Sequence, residues 1–176
     1  MQDSRPASTS LQFLVSEIRG DVVSAVLLVA NQTLAGGEVT RFVKSRMGEE
    51  SPQFTLLVPA TGNAHPERRA SVTNTIAGGV PGQDALLAAE DAADYERARA
   101  RLEFELGTLR GLGATVDGVV GHPNPSKAIS EVLRRRQFDE VVVFTLPKGI
   151  SRWLHLDLPH FVQRKFHVPV TVITPG

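Results

Sequence analysis

Five short apolar runs, alternating with segments of helical spacing, constrain this chain more than any other feature. They cover residues 25–30, 54–59, 115–120, 139–145 and 168–173. Ala25-Val26-Leu27-Leu28-Val29-Ala30 is apolar without a break, which suits a strand buried on both faces. Between the runs the period changes to that of a helix. Val39, Phe42, Val43 and Met47 fall on one side; Tyr95, Ala98, Leu102, Leu106 and Leu109 form one face of a long helix ended by Gly111 and Gly113. Ile129, Val132 and Leu133 point inward from a helix over residues 126–136, and a fourth helix is predicted over 158–166. Strands alternating with helices imply parallel pairing and right-handed crossovers. The expected fold is α/β: a three-layer, doubly wound, Rossmann-like sheet of five parallel strands.

The length of 176 residues suits one domain. Residues 1–20, which open on Ser, Thr, Pro and Gln, are expected to form a flexible N-terminal extension, and 21–176 the domain. A long loop at 60–83 contains Gly62, Pro66, Gly78, Gly79, Pro81 and Gly82 and follows a strand's carboxyl end. Loops beyond about 12–15 residues are usually functional or disordered. With Arg68 and Arg69 in its middle, this one reads equally as a lid over an anion and as a passive insertion. On the long helix, Arg99 with Glu103 and Arg101 with Glu105 stand one turn apart, predicting a solvated outer face. Arg134-Arg135-Arg136 predicts a solvated helix C-terminus, where positive charge suits the dipole.

Composition narrows the function classes. Formal net charge is zero, without the global basic footprint of a nucleic-acid-binding domain, so no nucleic-acid partner is expected. The apolar stretch Leu11–Val15 is too short and too polar for a signal peptide or membrane span, so no membrane partner is expected. There is no cysteine, which excludes disulfides, thiolate zinc sites and thiol nucleophiles and accords with the cytoplasm as the expected location. His65, His122, His155, His160 and His167 match no zinc spacing, so no metal is expected. No Gly-x-Ser-x-Gly elbow is present, and no residue is assigned a catalytic role.

Four segments, in order, resemble the universal stress protein family (UspA-like α/β domain) across roughly residues 24–174, a resemblance that implies the strand order 3-2-1-4-5. Val26-Leu27-Leu28-Val29-Ala30-Asn31 stands where the family's first strand ends in an acid that recognises adenine. Val119-Val120-Gly121-His122-Pro123 is similar to its Gly-x-Pro segment, Asp139-Glu140-Val141-Val142-Val143 to its fourth strand, and Val168-Pro169-Val170 to the start of its last. Family members that bind ATP carry Gly-x-x-Gly, nine further residues, then Gly-Ser or Gly-Thr. Laid without a gap from Asp139, those four positions fall on Phe144, Pro147, Asp157 and Leu158. The glycines of such a loop let backbone amides approach phosphates. Here Pro147 has no amide proton, Phe144 brings bulk, and Asp157 adds a carboxylate. Two like unit charges about 4 Å apart repel by roughly 4 kcal/mol at an effective dielectric of about 20.

Lys148 and Arg152 flank the loop and leave a small anion as a candidate ligand. The candidate ligand-binding residues are therefore Asn31, Gly121, Thr145, Lys148, Gly149 and Arg152. Asn31 reads equally as an acceptor for an adenine amino group and as a turn residue. The resemblance implies a non-enzymatic homodimeric module of stress response, paired through the C-terminal strand, with weak or no ATP binding. No cofactor is expected, with ATP or another nucleotide the disfavoured alternative. The rival functions are a small-anion or nucleotide sensor using Lys148 and Arg152, and a nucleotide-hydrolysing or nucleotide-transferring enzyme of the same fold group.

Overall fold

The computed structural model describes residues 24–30, 37–48, 52–61, 83–145 and 158–174. The N-terminal extension and almost all of the long loop lie outside them. The elements are β1 (Ala25–Val29), α1 (Glu38–Arg46), β2 (Gln53–Pro59), α2 (Gln83–Gly111), β3 (Val116–Gly121), α3 (Pro125–Arg135), β4 (Glu140–Phe144), α4 (Leu158–Phe166) and β5 (Val170–Ile173). The five strands form one sheet in the order β3-β2-β1-β4-β5, and every neighbouring pair is parallel.

The three central strands are the continuous apolar runs because both their faces are covered. Val26, Leu28, Phe54, Leu56, Val142 and Phe144 pack with Val39 and Val43 of α1 and Ala98, Leu102, Leu106 and Leu109 of α2. On the other face Leu27, Val29, Leu57, Val141 and Val143 meet Ala128 and Ile129 of α3 and Leu158 and Val162 of α4. Leu27, Leu28, Leu56 and Leu57 are wholly buried, each such side chain contributing about 1.5–3 kcal/mol. Asp139 fixes the register at the amino end: its Oδ2 accepts from the Ala25 N–H at 2.8 Å, and its own N–H donates to the Ala25 carbonyl at 2.8 Å.

Several boundaries and faces differ from the sequence reading. β3 ends at Gly121 and β5 begins at Val170 rather than 168. α3 starts at Pro125, where the Asn124 side chain accepts from the N–H groups of Ser126 and Lys127. Gly111 lies inside α2, and the reversal is made by Gly113 at φ 87°. Tyr95 is 39% exposed rather than inward. The inward stripe of the helix runs through Asp94, Ala98, Leu102 and Leu109 instead, which turns Tyr95 outward.

The charge pattern on α2 is half as expected. Arg99 pairs with Glu103 at 3.3 Å on the solvated side. Glu105, by contrast, is 4% exposed and accepts a hydrogen bond from Thr40 Oγ1 at 3.1 Å, because this side of α2 faces α1. Nor is the triple arginine merely solvated. Arg136 donates to Asp117 Oδ2 at 2.6 Å and lies over the Phe138 ring at 5.5 Å.

Candidate functional site at the carboxyl edge

In a doubly wound sheet the ligand crevice opens where adjacent strands send their crossovers to opposite faces. Here those strands are β1, followed by α1 on one face, and β4, followed by α4 on the other. Their ends are level, with Val29 opposite Val143. The edge is held together by backbone hydrogen bonds: Ala30 N–H to Leu57 at 3.1 Å, Ala60 N–H to Gly121 at 3.0 Å, and Thr145 N–H to Ile173 at 2.9 Å.

Two of the six candidate residues fall among the described ones, and both stand on this edge. Thr145 is the residue after β4 and is buried. Gly121 closes β3, its carbonyl taken by Ala60. A Cβ at Gly121 would lie 2.7 Å from both Ala128 Cβ and Leu57 Cδ1, so the missing side chain is what lets α3 approach the sheet. Glycine is needed there with or without a ligand. Asn31, Lys148, Gly149 and Arg152 lie outside the described residues, as do Pro147 and Asp157.

The other two aligned phosphate-loop positions are fully built into the core. Phe144 meets Phe42 edge to face with centroids 5.8 Å apart, and Leu158, the first residue of α4, is wholly buried. Neither position offers the open backbone of a glycine.

Three polar contacts near the edge escaped the sequence reading. The Asn124 N–H donates to His122 Nδ1 at 2.9 Å. Asn124 ahead of Pro125 is a legible helix-start pattern. The third is Glu38, the first residue of α1, only 9% exposed, with Oε1 accepting from Arg41 Nη2 at 2.6 Å. A glutamate in a first helical turn ordinarily signals only a complement to the dipole, so its burial had no local signal. Among the described residues no three metal-ligating side chains gather, and no helix is long and apolar enough to cross a membrane.

No protein-family model matches the sequence, and no curated protein matches it. Solved structures do match. A universal stress protein family member from Arabidopsis thaliana, with AMP bound, aligns at 13% identity over 87% of this chain and 92% of its own, with a TM-score of 0.51. The universal stress protein from Archaeoglobus fulgidus aligns at 14% identity over 89% and 98%, with a TM-score of 0.53. A hypothetical protein whose biochemical function was assigned from its structure aligns at 15% identity over 88% and 97%, with a TM-score of 0.56. At such identities the likeness is one of fold.

Proposed function

We propose that this chain, built on the universal stress protein fold, is a non-enzymatic homodimeric module of stress response in the cytoplasm whose carboxyl-edge crevice does not hold ATP. The observation that carries the reading is the pair Phe144 and Leu158, core side chains at positions where a phosphate loop needs bare backbone and a hydroxyl donor. Pro147 and Asp157 add the loss of an amide and a like charge by their chemistry alone. Calorimetric titration with Mg-ATP is expected to give no saturation at micromolar concentration. A micromolar or tighter constant would refute this reading.

The dimer is proposed through β5. That strand forms one edge of the sheet, and Val172 on it is 38% exposed, an apolar edge of the kind that seeks a partner strand. Light scattering is expected to give twice the chain mass, and charges at Val170 and Val172 to halve it. A second reading, a small-anion or nucleotide sensor, draws on the Arabidopsis thaliana protein of this fold that holds AMP. Lys148 and Arg152 are its proposed anion-binding residues, with Asn31, Gly121, Thr145 and Gly149 around them.

A further inference from the structure

The sheet has two edges, and β3 forms the one opposite β5. In its middle Gly118 and Val119 are exposed, Val119 by 37%, and residues 118–120 carry no charge. The ladder decides which backbone groups point outward. Thr115 and Gly121 give their carbonyls to the β2 side, so residues in phase with them face β2, while Val116, Gly118 and Val120 turn N–H and C=O away from the sheet. The Val116 carbonyl is taken by Arg110 Nε and Nη2 at 3.3 and 3.2 Å. Among the described residues nothing bonds the outward groups of Gly118 and Val120. Sheet edges are ordinarily blunted by charge, proline or a bulge, and this stretch has none of them.

The helices on both faces carry exposed charges level with this opening. On α2, Arg99, Glu103 and Arg110 recur at i, i+4 and i+11 as one stripe, and the bond from Arg110 to Val116 shows that this stripe overhangs the edge. A Cβ at Gly118 would meet Leu102 and Leu106, so these residues lie over Gly118, and α2 runs antiparallel to β3. One strand residue spans about two helical ones, so the level of Val119 falls between Arg99 and Glu103. On the other face Ala128 lies against Gly121 and Arg136 reaches Asp117, which puts the same level between Glu131 and Arg135 of α3. Both are exposed, and both share the Ala128 stripe at i+3 and i+7.

We propose that β3 is a self-association edge, pairing antiparallel with β3 of a second copy about a two-fold axis through Val119. The axis opposes Gly118 to Val120 of the second copy, each such pair exchanging both N–H···O bonds, and lays one Val119 against the other. Reversal about it also sets Arg99 against Glu103 on one face and Glu131 against Arg135 on the other, so the surface is complementary to itself. A foreign strand has no such charge order built in; a second copy has it by symmetry. Asp117, the acid beside the opening, is already paired with Arg136 at 2.6 Å. The contact is separate from the pairing proposed through β5 and is short, because Arg110 stops the ladder at Val116. It joins β5 dimers only at high concentration.

The chain has no cysteine, so Val119→Cys in the full chain is a specific probe. A non-hydrogen-bonded antiparallel pair holds its Cα atoms about 4.5 Å apart, within disulfide range. Under mild oxidation at high protein concentration, Val119→Cys is expected to cross-link at least about tenfold faster than Phe104→Cys, a control that is 76% exposed on the outer side of α2. Glu103→Arg leaves only arginines around the axis on that face and is expected to weaken association about fivefold in sedimentation velocity, and adding Arg99→Glu to restore it. In wild type the Gly118 and Val120 amides are expected to gain protection from hydrogen exchange as concentration rises, a readout that needs no variant. Equal cross-linking of the two cysteines overturns the proposal, and an edge reserved for a foreign strand gives that result. So does exchange at Gly118 and Val120 that ignores concentration, or a charge swap that associates no better than Glu103→Arg alone. Charges at Val170 and Val172 are expected to leave the Val119→Cys cross-link intact, so failure of the β5 reading and failure of this one are distinct results.

Discussion

Gly121→Ala tests whether this rim glycine is present for packing. An ideal Cβ there lies 2.7 Å from Ala128 Cβ and 2.7 Å from Leu57 Cδ1, whereas carbon atoms rest about 3.5–4.0 Å apart, so each contact must open by about 1 Å. Leu57 and Ala128 are both wholly buried, and α3 has to lift from the sheet. Overpacking of this kind costs about 1–3 kcal/mol. The backbone of Gly121 is outside the left-handed region, so alanine adds no φ strain and stiffens the unfolded chain, returning about 0.4–1 kcal/mol. A net loss of about 1.3 kcal/mol, the difference of the mid-range values, is expected in urea unfolding followed by circular dichroism, or about 3–5 °C in Tm for a chain of this size. Ala128→Gly alone costs about 1 kcal/mol of helix propensity. Combined with Gly121→Ala it removes the clashing methyl, so the double variant is expected to be no worse than Gly121→Ala alone, a coupling of about 1 kcal/mol. A Gly121→Ala protein within about 0.5 kcal/mol of wild type, or strictly additive losses, would refute the packing argument. Weaker ligand binding in that variant would then report a displaced α3.

Three further outcomes are expected. Burial pushes the Glu105 carboxyl up from its ordinary 4.5, with the Thr40 hydrogen bond opposing. Its contribution to stability is therefore full below the unfolded value and lost as pH rises through the folded one. Glu105→Gln, which keeps an acceptor for Thr40, should gain stability over wild type at neutral pH and lose that gain below pH 4.5; urea midpoints that differ equally at both pH values count against it. Asn124→Ala removes the acceptor for two amides of α3 and should cost about 1 kcal/mol, while Asn124→Gly costs only a few tenths, measured by thermal unfolding. Phe144→Gly, which restores the aligned glycine, should lose at least about 3 kcal/mol by emptying the space beside Phe42 and still give no calorimetric ATP signal; ATP binding by a folded Phe144→Gly protein would show the bulk at this position to be the sole barrier.

The alternation of apolar runs with helical spacing determined the parallel sheet and its covered faces, because period and length are local properties that each segment carries in its own residues. Residues 158–166 formed the predicted helix at the predicted bounds, and Gly121 and Thr145 stand on the carboxyl edge where the strand ends placed them. Which way a polar residue faces was decided elsewhere. Arg99 with Glu103 and Arg101 with Glu105 have the same spacing in sequence, yet Glu105 is buried because α1 lies across from it and offers Thr40. Tyr95 carries the helical period of Leu102 and Leu106 but stands exposed, while its neighbour Asp94 takes the buried side. Gly121 reads as a turn glycine until Ala128 and Leu57 are brought against it. Glu38 reads as a helix-start charge until the fold buries it. Burial belongs to two surfaces at once, and the second is contributed by residues distant in the chain.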